Sequence, residues 1–218
     1  MRILLLILSI SVLSACQSTG LTKGQAYPNM YEEKPPSILV VPAINRSTAA
    51  DAPQLFSATL TQPLTEAGYY VFSIPGSQHY FAQEGVVDGQ QLLQVPAQRF
   101  HTLFGADSVL FVTIDKWDTN YYITGGNVTV ALKFHLVSTH TGETLWQHNA
   151  HLVEDTSGNS DNLVANLIST AINSAMLDYV TVTRRANRQV IATLPFGKYH
   201  DKHFQDQEQI IKRVVNSK

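Results

Sequence analysis

The reactive side chains of this 218-residue chain are eight histidines, seventeen aspartates and glutamates, and one cysteine, Cys16. Their spacing limits the chemistry they can share. His148 and His151 are three apart in a stretch that reads as a strand, so they point to opposite faces and cannot hold one ion together. His200 and His203, in the run HDKH, could share an ion only if the tail were helical, and no thiolate lies beside them; a solvated loop is the better reading. Asp115 and Asp118 flank Trp117 at a spacing that puts them on opposite faces of a strand, which fails as a general acid–base pair. Glu154 and Asp155 end a strand and solvate it. Ser77 follows Gly76 without the GxSxG elbow, and HExxH, GxGxxG and P-loop patterns are missing. No catalytic residue, metal or cofactor is expected from motifs. Spacing speaks only for local motifs, because a site assembled from distant segments leaves no such trace.

The thiol is different, because its surroundings are ordered. Arg2 supplies a positive charge, residues 3–12 are apolar apart from Ser9 and Ser11, and Leu13, Ser14 and Ala15 run into Cys16. The apolar run is too short to span a bilayer and has the build of a secretory signal. LSAC resembles the bacterial lipobox at all four positions. That resemblance implies cleavage before Cys16, a diacylglycerol on its sulfur and a further acyl chain on its new amino terminus. Several chains at about 0.8 kcal/mol per buried methylene hold a protein on a membrane stably. The other reading of Cys16, a buried thiol or half of an intermolecular disulfide, leaves the ordered charge, apolar run and small residues without a reason. In a Gram-negative envelope an aspartate after the lipidated cysteine favours inner-membrane retention. Gln17 stands there instead, so the expected location is the outer membrane, with the body facing the periplasm.

Fifteen Lys and Arg against seventeen Asp and Glu give a net charge of −2. No basic field exists to recruit nucleic acid. Only 15% of residues are charged, below the usual quarter or so, and a polar, weakly charged surface suits protein contacts. With no second cysteine there is no internal disulfide, so packing alone holds the fold.

The supporting elements follow from periodicity. Residues 16–36, polar with Gly20, Gly24, Pro28, Pro35 and Pro36, read as the lipidated terminus and a flexible tether. Residues 37–43 (SILVVPA) read as a strand buried on both faces and closed by Pro42. Asp51 and Pro53 open a helix carrying Leu55, Phe56, Leu60 and Leu64 up to Gly68, and residues 69–74 return as a second strand. A short helical piece with Leu92 and Leu93 and a helix from Pro96 to Gly105 precede a central strand over 108–117. Residues 127–137 and 143–153 alternate apolar and polar as an antiparallel hairpin around the turn THTG. A long helix is expected from about Ser160, with Leu163, Leu167, Ile168, Ala171, Ile172, Ala175 and Met176 on one stripe; 186–204 is irregular, and 205–215 reads as a last helix. The order β-α-β-α-β-β-β-α predicts one layered α/β domain over 37–204, a mixed sheet of about five strands with helices packed on it, between a 1–15 signal with its 16–36 tether and a 205–218 tail.

Four segments carry a family resemblance: PLTEAGYYVF (63–72), FGADSVLFVTIDKW (104–117), TGETLW (141–146) and LPFGKYH (194–200). Together they resemble the GNA-type bacterial lipoproteins over most of the chain, from about Lys34 to His200. That family is similar in fold to the N-terminal domain of TolB and more distantly to CsgG and LpoB. Its members are usually encoded beside a CsgG-like lipoprotein, which implies an outer-membrane assembly of several lipoproteins serving export or transport. The resemblance assigns no catalytic residue.

Within these segments Gly68 and Gly105 are expected as left-handed helix caps. Trp117, Tyr121 and Tyr122 are the candidate partner contacts; for Trp117 core packing competes with that role, whereas Tyr121 and Tyr122 sit beside Gly125 and Gly126 in what reads as a loop. The expected function is a non-catalytic, lipid-anchored interaction domain whose partners are CsgG-like or other outer-membrane lipoproteins, with homo-oligomerisation through a hairpin edge. Two rivals are regulation of a peptidoglycan synthase, as the LpoB similarity would allow, and a hydrolase or small-ligand binder. The first needs long reach, and the tether spans at most about 70 Å extended and near 25 Å as a coil. The second needs a deep pocket with perturbed ionisable groups.

Overall fold

The computed structural model describes residues 20–122, 125–155, 174–203 and 205–211. Cys16 and the stripe positions Leu163, Leu167, Ile168, Ala171 and Ile172 lie outside them.

Two short helices, α1 (Lys23–Ala26) and α2 (Pro28–Glu33), precede β1 (Ser37–Val40) and β2 (Ile44–Asn45). Helices α3 (Ala52–Ala58) and α4 (Thr61–Glu66) lead to β3 (Tyr70–Val71), α5 (Ile74–Gln83), a 3-10 turn at Gly89–Leu92 and α6 (Gln98–Phe104). The long strands β4 (Ser108–Tyr122), β5 (Gly125–Ser138) and β6 (Thr144–Asp155) follow, and α7 (Ser174–Ile191) closes the order. The result is the mixed α/β sheet expected: six strands in the order β3-β1-β4-β5-β6, with β2 also on β4. β1 runs parallel to β3 and β4, while β4, β5 and β6 form an antiparallel meander. β2 resumes the parallel ladder on β4 after Pro42, a residue with no N–H to give it.

β1 is buried on both faces because both faces are covered. Ile38 and Val40 join the larger core, which includes Phe56 of α3, Leu64 of α4, Val182 and Val190 of α7 and the inner sheet positions Leu132, Phe134 and Trp146. Leu39 and Val41 face the smaller core with Phe81 of α5, Phe100 of α6 and Phe111. That second cover ends with α5 and α6, so further along the meander the outer side chains of β5 and β6 are polar and exposed: Lys133, His135, Gln147, Asn149 and His151. The alternation in the sequence is the trace of this half-covered sheet.

Several expectations need correction. Residues 20–36 are not a flexible tether: Thr22 and Gln25 form a capping box on α1, Pro28 opens α2, and Tyr27 and Met30 enter the core. Glycine and proline here serve helix ends, which composition alone reads as linker. The helix over 51–68 is two helices meeting at Thr59 and Leu60. The second strand is confined to Tyr70–Val71, because the Ser73 hydroxyl accepts the Gly76 N–H and starts α5 with proline in its first turn. Residues 186–191 continue α7 rather than being irregular. Within 205–211 the chain makes turns and an Ile210–Thr22 bridge in place of a helix. Gly68 and Gly105 do adopt positive φ, at 91° and 69°.

Candidate functional site

The two described ends of the chain meet in a buried polar clasp. Lys23 Nζ lies 3.1 Å from Asp206 Oδ2 and donates to the Leu194 carbonyl at 2.8 Å. It also stands 4.9 Å from the centroid of the Phe196 ring. Asp206 further accepts the Phe196 N–H at 2.9 Å and the Tyr31 hydroxyl at 3.1 Å. Burial, with the Asp206 charge beside it, pushes the Tyr31 hydroxyl far above the usual tyrosine range and keeps it a donor. Backbone bonds tighten the join: Lys23 N–H to Gln209, Gly24 N–H to Gln207 and Ile211 N–H to Leu21. The first two satisfy first-turn N–H groups that a helix leaves open. The clasp is structural, since every member is buried or engaged.

The segments that carry the family resemblance also interlock. Gly197 and Tyr199 donate backbone hydrogen bonds to Ala67 and Gly68, and the Tyr69 hydroxyl donates to the Pro195 carbonyl at 2.6 Å. A Cβ on Gly68 would run into His200 N, and one on Gly197 would meet Gly68 O at 2.5 Å. Only glycine fits at either position, so AGYY and PFGKYH specify a close contact between the two segments.

Trp117 is 2% exposed in the larger core, paired across the ladder with Val130. It is not a contact residue: its strand position turns it to the face that the helices cover. Tyr121 and Tyr122 belong to the backbone of β4, opposite Gly126 and Gly125 near the hairpin end, and not to a loop between strands. His148 and His151 do separate, His148 inward and His151 to the exposed face. Asp115 and Asp118 do not. A bulge between Ile114 and Lys116 shifts the parity, so Asp115 reaches Lys133 at 2.7 Å and Arg46 at 3.7 Å on the polar face, the face to which Asp118 also turns beside buried Trp117. Both carboxylates therefore share one side, with Asp115 held in an ion-pair cluster. His200 stacks on Phe196 with centroids 3.8 Å apart, and its Nδ1 accepts the Lys202 N–H. Among the described residues it joins no three-ligand set with His203.

An open cleft of about 260 Å³ lies between Pro42, Pro53, Gln54, Gln78, Val86 and Val87, and none of its lining residues is ionisable. A space of about 10 Å³ beside Tyr31, Tyr69 and Phe196 has room for about one water. One polar cluster escaped motif reading: His101, Asp107 and His140 converge at one end of the sheet. The 33-residue gap to His140 hides it, and the only sequence signal is that each residue sits at a helix end or turn. Among the described residues no helix is long and apolar enough to cross a membrane.

A mixed sheet clasped at both ends of the chain, preceded by LSAC, defines a small α/β domain of the lipoprotein type. The family model described as "Putative lipoprotein GNA1162-like" matches residues 25–193, and the chain belongs to that family. It is 33% identical over 165 residues, 76% of each chain, to the putative lipoprotein NMB1124/NMB1162 of Neisseria meningitidis serogroup B. The crystal structure of lipoprotein GNA1162 from Neisseria meningitidis superposes with a TM-score of 0.54 at 33% identity, covering 65% of this chain and 98% of that one. The LpoB C-terminal domain from Salmonella enterica superposes more loosely, at a TM-score of 0.39 and 19% identity over 60% of this chain and 98% of that one, and carries no functional argument. The family match begins within α1 and takes in all of α2, in keeping with their place in the folded domain.

Proposed function

We propose that this protein is an outer-membrane-anchored periplasmic lipoprotein that works without catalysis, as an interaction component of an export or transport assembly with other lipoproteins. The observation that carries the reading is the junction of lipobox and domain. From Cys16 to the start of α1 at Lys23 there are only a few residues, at most about 25 Å of extended chain, so lipidation at Cys16 would hold the domain against the membrane rather than out toward the cell wall. That geometry suits partners anchored in the same membrane and disfavours control of a distant synthase. The cleft without ionisable groups supports partner binding over hydrolysis. The hairpin end at Tyr121 and Tyr122 is the proposed contact, because the glycines opposite leave the ladder there without cross-strand side chains.

The test is in-cell crosslinking of the lipidated chain, pull-down from solubilised envelopes and mass spectrometry. Recovery of a second outer-membrane lipoprotein, reduced severalfold by Tyr121→Ala with Tyr122→Ala while the cooperative melt is kept, is the expected result. Recovery of a peptidoglycan synthase alone would replace this reading with cell-wall control. Loss of the melt in the double variant would make the tyrosines structural.

A further inference from the structure

We propose that His101, Asp107 and His140 form a binding site for a borderline divalent transition-metal ion, with Zn2+ the best fit. One potential ligand atom from each residue lies within 4.8 Å of the others. The three come from separate segments: the last turn of α6, the loop before β4 and the β5–β6 turn.

The surrounding bonds orient His101 and Asp107 and fix the turn that carries His140. His101 Nδ1 is 3.0 Å from the Ala106 carbonyl, which can only accept, so that nitrogen carries the proton and Nε2 keeps its lone pair. A histidine that ligates a metal usually has its other ring nitrogen held in this way. The Ser37 hydroxyl donates to Asp107 Oδ2 and accepts the Asp107 N–H, which leaves Oδ1 for the site. His140 Nε2 stands 3.3 Å from Oδ1, and the His101 and His140 rings are 4.5 Å apart between centroids. The turn bearing His140 is held by Glu33, whose carboxylate accepts from the Ser138 and Thr141 hydroxyls, and by the Thr139 N–H on the Asp107 carbonyl.

Two neutral imidazoles and one carboxylate give a singly negative donor set. Nitrogen and oxygen donors favour Zn2+ and its neighbours over Mg2+ or Ca2+, which prefer oxygen alone. Tetrahedral bonds of about 2.0–2.1 Å need ligand atoms about 3.3 Å apart. His140, with its side chain 52% exposed, is free to rotate inward by the small remainder. A fourth position stays open to water or to a donor from a partner. An ion here would cross-link α6 to the β5–β6 turn. This inference stands apart from the proposed function and does not depend on it.

The full-length lipidated chain in detergent, stripped with EDTA, should take up one Zn2+ per chain by calorimetric titration with ZnCl2 near neutral pH, and melt at a higher temperature with Zn2+ than without. His101→Gln and His140→Gln should each weaken binding about tenfold or more, whereas His203→Gln should leave it unchanged. Because His101 also bonds Ala106, its variant could unfold early. The half-exposed His140 variant then carries the test, with the metal-free melt as its folding control. Absence of binding up to about 1 mM Zn2+, or binding unaffected by either variant and lost in His203→Gln, would overturn the site and leave Asp107–His140 as a plain ion pair.

Discussion

Lys23 and Asp206 are 183 positions apart in sequence and in hydrogen-bond contact in the fold. Removing one partner of such a buried pair strands the other charge, which typically costs about 3–5 kcal/mol; three further bonds to Asp206 and Lys23 hold this one in register. His148 poses the opposite case. Its ring lies parallel to Trp146 with centroids 6.2 Å apart, and among the described residues its buried Nε2 has no hydrogen-bond partner. Burial lowers its pKa from 6.5. The unfolded chain therefore binds a proton at His148 more readily than the folded one, so this stability is full above about pH 6.5 and is lost as pH falls below it. His135 is reached by solvent on the polar face but partly desolvated by its strand neighbours, so its pKa is also lowered and it adds a smaller effect in the same direction. Thermal melts from about pH 7.5 down to about pH 5 should show a falling midpoint, and His148→Phe should flatten that slope; equal slopes would clear His148 as the cause. The inward placement of His148 was legible from strand alternation. Its stacking on Trp146 follows the same period, whereas the Lys23–Asp206 pair has no local signal.

At the scale of elements, α1 and α2 cover one end of the β6 edge. Asn29 donates to the Thr144 carbonyl at 3.1 Å, and Tyr27 and Met30 seal the core beside it. Among the described residues, no strand pairs with the outer side of β6 beyond the end that α2 covers. A chain beginning at Ser37 would lose both helices, expose those core contacts and leave Asp206 buried without Lys23. Burial of each large apolar side chain contributes about 1.5–3 kcal/mol, so that truncation should lower stability by about 3 kcal/mol or more, read by chemical denaturation. A chain beginning at Gly20 should unfold like the full-length protein. Equal stability of the two truncations would return residues 20–36 to the role of a linker. The long strands and α6 were readable because their period or caps persist over many residues. The 16–36 segment misled because its helices are four and six residues long, too short for a period and stable only through the surface they dock on.

For the whole molecule, an anchor at Cys16 and a domain folded from Gly20 onward would leave little freedom between membrane and protein. The body would lie with its α1 end and the neighbouring tail, including the exposed Leu21, Tyr199 and Ile210, nearest the lipid. On the proposed outer-membrane placement, Cys16→Ser should move the protein from the outer-membrane fraction of a sucrose gradient to a form that is not tightly membrane-bound, with its melting curve unchanged. Continued tight sedimentation with the outer membrane would show that something besides the lipid anchors it.

By itself the sequence determined the mixed α/β class, the 127–153 hairpin and the two glycine caps, because each is written in neighbouring residues through period two or a glycine that can take positive φ. Tertiary structure alone decided that the N-terminal segment belongs to the domain, that a one-residue bulge brings Asp115 and Asp118 to one face, that Gly68 and Gly197 lock two distant segments, and that His101, Asp107 and His140 meet. Those outcomes depend on chain closure over tens to hundreds of residues, where packing rather than spacing selects which groups become neighbours.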